Sequence, residues 1–247
     1  MKVVRNLKYR TLFSGLGVAS VTPFKSDFSV DEQAILNLCN YFIKSKVSFV
    51  VVQGTTGESA TLSDNEKEFV NDFFIKNLYS KIPLVLGIGS NNTNEIISKL
   101  KSVDLSHFDA IMSVCPYYSK PSQSGIIKHF EKVSEHSSKP IILYNVPSRT
   151  GIDMTDETII HLSKSCENII GVKEASGIPS RINYLRTNTH SEFVILSGDD
   201  FTMIDAFKNG ADGIISVAAN AYPTEFNDII KEINSNDFNV DDSNFFL

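Results

Sequence analysis

Lys173 stands near the end of an apolar run, Asn168-Ile169-Ile170-Gly171-Val172-Lys173-Glu174-Ala175-Ser176. Strands of a parallel sheet are covered on both faces and read as continuous Ile and Val, so a lysine within one has its amine in the protein interior. Desolvation disfavours the ammonium and lowers its pKa, leaving a neutral amine that attacks a carbonyl and forms a Schiff base. The competing reading is a strand-end lysine that buries its stem and sends its amine to water.

Polar residues also follow other apolar runs. They are Gly54-Thr55-Thr56-Gly57-Glu58, Pro116-Tyr117-Tyr118-Ser119-Lys120-Pro121, Tyr144-Asn145-Val146-Pro147-Ser148-Arg149-Thr150-Gly151, Ser197-Gly198-Asp199-Asp200, and Ser216 with Asn220. Taken singly, a Tyr at a strand end is amphipathic packing, a Thr in a Gly-flanked turn is a cap, and an Arg in a turn is solvated. Together they imply a rim, provided the runs are strands of one barrel.

The runs that must position these residues are 17–24, 49–55, 83–89, 110–117, 140–146, 169–175, 193–198 and 213–218. Between them lie segments with helical spacing, such as Ile35, Leu38, Cys39 and Phe42, or Phe69, Val70, Phe73 and Phe74. Ser29-Val30-Asp31-Glu32 and Ser63-Asp64-Asn65-Glu66 read as capping boxes, and Thr93, Thr155 and Thr224 as further N-caps. Eight strand-then-helix units match the (β/α)8 barrel, whose usual length is about 250 residues. A doubly wound dinucleotide-binding sheet has a Gly-rich turn after its first strand; here that strand leads to Thr22-Pro23-Phe24, and G-x-G-x-x-G does not occur. No linker divides the chain, so residues 15–236 are expected to form one barrel after a disordered lead-in, 1–14.

Composition narrows the function classes. A net charge of −6 with no Lys/Arg block argues against nucleic-acid or anionic-membrane partners. Nothing approaches the roughly 20 apolar residues of a membrane span or the apolar core of a signal peptide, so a cytoplasmic protein is expected. Cys39, Cys115 and Cys166 read as reduced, small apolar residues. His107, His129, His136, His161 and His190 lack metal-ligand spacing, so they read as surface residues and no metal is expected.

Four motifs in register, Gly54-Thr55-Thr56-Gly57-Glu58, Pro116-Tyr117-Tyr118-Ser119-Lys120-Pro121-Ser122-Gln123, Tyr144 to Gly151, and Gly171-Val172-Lys173-Glu174-Ala175-Ser176-Gly177, resemble the dihydrodipicolinate synthase branch of the pyruvate-dependent class I aldolases. The resemblance runs from about Gly15 to about Phe238. It implies a (β/α)8 TIM barrel and a lyase that condenses pyruvate with L-aspartate 4-semialdehyde in diaminopimelate and lysine synthesis, with no cofactor and as a homo-oligomer. Carried over by position, Lys173 resembles the Schiff-base lysine and Tyr144 the residue that shuttles protons. Thr55 and Tyr118 resemble its relay partners, Tyr118 reaching into a neighbouring subunit's site. Thr56 resembles the residue that holds the pyruvate carboxylate, Arg149 the one that receives the semialdehyde carboxylate, and Gly198 and Ile215 residues whose backbone lines the pocket.

Related members cleave N-acetylneuraminate or keto-deoxy sugar acids; Arg149 and the Tyr117-Tyr118 pair favour the synthase. Ser59, Ala60, Asn91, Glu95 and Tyr117 resemble a lysine-binding allosteric site, but Asp64 and Lys67 stand where lysine-sensitive members carry histidines. Lys67 would repel a lysine ammonium, so feedback is expected to be weak or absent. Residues 237–247 resemble a short remnant of the family's C-terminal helical region, most of which is missing. That loss would leave apolar surface uncovered and keeps open a barrel that binds pyruvate or lysine without turnover.

Overall fold

A computed structural model describes residues 8–235. The elements are α1 (Lys8–Leu12), β1 (Gly15–Ala19), α2 (Glu32–Lys44), β2 (Phe49–Val52), α3 (Asp64–Leu78), β3 (Leu84–Gly87), α4 (Thr93–Ser102), β4 (Ala110–Val114) and α5 (Gln123–His136). There follow β5 (Ile141–Asn145), the one-turn α6 (Pro147–Thr150), α7 (Asp156–Ser165), β6 (Ile169–Glu174), α8 (Pro179–Asn188), β7 (Val194–Ser197), α9 (Met203–Lys208), β8 (Gly213–Ser216), a 3-10 turn over Ala218–Asn220 and α10 (Pro223–Ser235). Each strand pairs parallel with the next and β8 closes on β1. The expected (β/α)8 barrel is the architecture observed.

Two apolar layers account for the continuous Ile and Val of the strands. Phe49, Val51, Val85, Met112, Ile142, Val194, Leu196 and Ile215 fill the barrel, while Val50, Val52, Leu84, Leu86, Leu143 and Ile195 face the helices. Phe13 closes the N-terminal end, its ring edge-on to Phe49 at 5.5 Å. Residues 8–13 are therefore not the disordered lead-in expected: α1 is helical, Phe13 is buried, and Arg10 Nε donates at 2.5 Å to Asp212, whose side chain is shielded from solvent. Residues 1–7 and the expected C-terminal remnant lie outside the described residues.

The strands are shorter than the apolar runs. The first spans Gly15–Ala19, not 17–24, and β4 stops at Val114 because Pro116 offers no N–H to a ladder. The residues so released form the loops of the barrel mouth. Three caps also differ. Asp31, not Ser29, accepts the first-turn amide of α2, from Ala34, and Asn92 rather than Thr93 caps α4. Thr93 Oγ1 is instead 2.9 Å from Nδ1 of His129, a buried histidine that the sequence reading placed on the surface and whose pKa burial pushes down to about 4. Thr224 lies inside α10, its hydroxyl donating to Ser45 Oγ. Ser63–Glu66 forms the expected capping box, and Thr155 caps α7.

In β6 the alternation breaks. Ile141 pairs with Ile169 but Ile142 with Gly171, so Ile170 is an extra residue. Ile169 faces the helices and Ile170 the barrel interior, yet Val172 faces the helices again. Strict alternation from Ile169 would turn Val172 inward and Lys173 outward; the bulge reverses this and sends Lys173 into the barrel. Glycine is needed beside it, since a Cβ on Gly171 would fall 2.5 Å from the carbonyl oxygen of Val194.

Truncating Phe49 to alanine empties the closed end of the barrel. We expect a loss of about 3–5 kcal/mol in urea unfolding for Phe49→Ala, and a loss below about 1 kcal/mol would show that this end carries little of the stability.

Candidate active site

Lys173 is paired in register with Tyr144 on the neighbouring strand, and both are buried. The lysine Nζ lies 4.4 Å from the centroid of the Tyr144 ring. Burial lowers the Lys173 pKa to about 8, against the pull of the Asp200 carboxylate, which favours the ammonium; the Arg149 charge adds to the lowering. About a tenth of the amine is thus uncharged at pH 7, far more than for a lysine in water. Burial also raises the Tyr144 phenol, opposed by a hydrogen bond with Thr55 and by Arg149. Phenol and amine together make a nucleophile with a proton donor and acceptor beside it.

Room for the lysine depends on Gly198 at the end of β7. A Cβ there would lie 2.8 Å from Cε of Lys173 and 2.7 Å from Cβ of Ala175. A glycine there leaves the space that the lysine side chain occupies. Ile215 is fully buried on β8 with its side chain in the barrel interior.

The loop after β2 folds over the mouth through successive turns, with Gly57 N donating to Gly54 O and Glu58 N to Thr55 O, both at 3.1 Å. Gln53 and Glu58 take left-handed φ values of 61° and 53°, a cost offset by Thr22 Oγ1 donating to Gly57 O at 2.7 Å. Thr55 reaches Tyr144, whereas Thr56, half-buried in the same turn, is not among the cavity-lining residues. Arg149 projects from α6, which starts at Pro147 and ends at Gly151 in a left-handed cap. A cavity of about 460 Å³ is bounded by Thr55, Tyr144, Arg149, Tyr117, Glu58 and Lys67. Tyr118 lies outside it, 88% exposed with φ 71° and with its amide on Thr150 O.

The same cavity takes in most of the expected allosteric set. Ser59, Ala60, Glu95 and Tyr117 line it with Lys67 and Lys99. Asn91 does not, its Nδ2 donating to Tyr117 O at 3.2 Å. Glu95 is held below the usual carboxylate range by hydrogen bonds from Lys99 and Ser90. Lys67 lies 3.5 Å from Asp64.

Behind the lysine and tyrosine, on the helix-facing side of the sheet, runs a polar network that the sequence reading missed. Asn145 Nδ2 donates to Glu174 Oε2 at 3.0 Å and to Asp153 Oδ1 at 2.8 Å, and Arg181 donates to Asp153, Asp156 and the carbonyl of Met154, each at 2.7 Å. The available signal was two polar residues, Asn145 and Glu174, directly after the two reactive ones on apolar strands. Asp200, in the polar stretch after β7, accepts at Oδ2 from the amides of Val217 and Ala218.

Among the described residues no group of three or more His, Cys, Asp or Glu could hold a metal ion, and no helix is long and apolar enough to cross a membrane. The three cysteines are free and buried, with burial pushing the thiols of Cys39 and Cys115 up to about 12.

Residues 12–242 match the model of the dihydrodipicolinate synthetase family. Among curated proteins the chain is 47% identical over 219 residues to 4-hydroxy-tetrahydrodipicolinate synthase of Flavobacterium psychrophilum, covering 89% of this chain and 75% of that protein. Dihydrodipicolinate synthase of Aquifex aeolicus superposes with a TM-score of 0.87 at 37% identity, covering 92% of this chain and 77% of the other. The chloride-inhibited enzyme of Acinetobacter baumannii, solved in complex with pyruvate, gives 0.86 at 36% identity, with 91% and 77% covered.

The lowered lysine pKa is measurable without any substrate. The rate at which a small acylating reagent modifies Lys173, read by mass spectrometry, should rise with pH to half its maximum at about 8. Asp200→Asn should move that midpoint down and Arg149→Gln should move it up. A midpoint near 10.4, the ordinary lysine value, would place the amine in water.

Proposed function

The chain belongs to the dihydrodipicolinate synthetase family, and on that premise we propose that it condenses pyruvate with L-aspartate 4-semialdehyde to 4-hydroxy-tetrahydrodipicolinate, through a Schiff base on Lys173. It is a lyase of the class I aldolase type. The observation that carries the reading is the buried Lys173 amine at 4.4 Å from the Tyr144 ring inside a closed barrel.

The neutral amine adds to the pyruvate ketone, and loss of water leaves an iminium. That cation withdraws electrons from the adjacent methyl, which gives up a proton and becomes an enamine carbon. The enamine attacks the aldehyde carbon of the second substrate and its oxygen takes a proton. The substrate amine then displaces Lys173 from the imine carbon, closing the ring and freeing the enzyme. Tyr144 carries these protons; because its phenol is raised it works as a relay, with Thr55 as the first partner. Thr56, half-buried in the turn after β2 and next to the cavity-lining Thr55, holds the pyruvate carboxylate, and Arg149 on the cavity wall takes the semialdehyde carboxylate. Tyr118, exposed and held at positive φ, fits a relay completed across a homo-oligomer interface in the cytoplasm.

The cavity region that resembles a lysine site carries Lys67 and Lys99 on its wall. Lys99 is paired with Glu95 at 2.7 Å, but Lys67 has the exposed Asp64 as its ion-pair partner, at 3.5 Å, and a ligand ammonium beside it meets like charge, so lysine feedback is weak or absent.

Borohydride added with pyruvate should leave a mass increase on Lys173, absent from Lys173→Ala. Tyr144→Phe should cut turnover by roughly 10²- to 10⁴-fold, the usual weight of a positioned acid–base group. Turnover with pyruvate and N-acetylmannosamine but not with the semialdehyde would overturn the assignment. Micromolar lysine should leave the rate unchanged, and full inhibition at that concentration would contradict the reading of Lys67.

A further inference from the structure

Lys173 faces Tyr144 because of the bulge at Ile170, so its direction depends on the register of β6 being kept past that residue, against β5 on one side and β7 on the other. A one-residue slip of β6 would carry every side chain beyond it to the opposite face. The ladder past the bulge is short, from Gly171 to Glu174 against Ile142 to Asn145. At its end stands a side-chain bond in the same register: Asn145 pairs with Glu174 as Tyr144 pairs with Lys173, and Asn145 Nδ2 donates to Glu174 Oε2 at 3.0 Å.

Both ends of that bond are fixed. Glu174 Oε1 accepts from Ser176 N at 2.7 Å, and Asn145 Oδ1 accepts from Met154 N at 3.0 Å. Asp153 receives both Asn145 and Arg181, so the first turns of α7 and α8 are tied to the ends of β5 and β6. Asn145, Glu174 and Arg181 are all buried and lie on the helix side of the sheet, away from the cavity. Charges so placed are costly, and a packed apolar pair would stabilise the fold at least as well. Their directional bonds supply what an apolar pair does not, a fixed register.

We propose that the Asn145–Glu174 bond, braced by Arg181 and Asp153, is a positioning element that holds Lys173 against Tyr144. This rests on the Schiff-base reading above. Both are positioning residues, acting on pyruvate only through Lys173 and Tyr144.

The test compares Glu174→Gln, Asn145→Ala and the double variant by the rate of imine formation with pyruvate, trapped with borohydride and counted per folded molecule. In Glu174→Gln the new amide can keep Ser176 through its oxygen but turns a donor toward the Asn145 donor, and Asn145 cannot flip without losing Met154. We expect imine formation and kcat to fall about 10- to 100-fold, the cost of a misplacement near an ångström, with KM for pyruvate little changed. The double variant should be no slower than either single one, because the two residues act as one unit. Imine formation at the wild-type rate in folded Glu174→Gln would overturn the proposal and leave the network a purely structural role. Should that variant not fold, Asn145→Ala, which leaves Glu174 facing Arg181, decides by the same criterion. If wild-type protein itself fails to trap pyruvate, the Schiff-base reading falls instead.

Discussion

An amine held out of water beside a phenol is the interaction around which the barrel mouth is built. A closed parallel barrel makes such burial possible: its backbone groups are spent on one another, its interior is packed with side chains, and its one chemically useful opening is at the C-terminal ends of the strands. Lys173 lies toward the C-terminal end of β6, dry enough for its pKa to fall to about 8. Asp200 limits the fall and Arg149 deepens it, so the amine is balanced between reactivity and charge.

The surrounding structure divides its work by face. Apolar side chains below Lys173 fill the barrel and deny it water, while Gly198 leaves the space its stem occupies. On the outer face a polar network joins the ends of β5 and β6 to the helices that follow them. Loops beyond the strands supply Thr55, Arg149 and Tyr117, and several of their residues take left-handed conformations held by hydrogen bonds. Rigid strands place the reacting groups, and loops shape what may approach them.

Much of this was legible in the residues. Continuous Ile and Val runs followed by helical periodicity gave the strand order, because parallel strands must be apolar on both faces. Polar motifs after the runs marked the rim. Strand ends were overestimated, since an apolar run continues past the last ladder bond wherever its residues pack into a loop or a proline interrupts pairing, as at Pro116. Caps were misplaced where two polar residues competed and tertiary contacts chose: Thr93 went to His129 and left Asn92 to cap α4. His129 itself read as a surface residue because its hydrogen-bond partner, Thr93, is remote in the chain.

What the sequence determined alone is the order of elements and the residue types available at the mouth, both of which follow from local periodicity and from the chemistry of Lys173, Tyr144, Thr55 and Arg149. Which way Lys173 points was not determined locally. Alternation counted from Ile169 would send it to the helices, and only the extra residue Ile170, visible in the pairing of β6 with β5, turns it inward. The pairing of Asn145 with Glu174 is likewise a property of register between two strands. Tertiary structure decided both, because side-chain direction in a sheet depends on how one strand is aligned with its neighbour, and that alignment cannot be read from either strand taken alone.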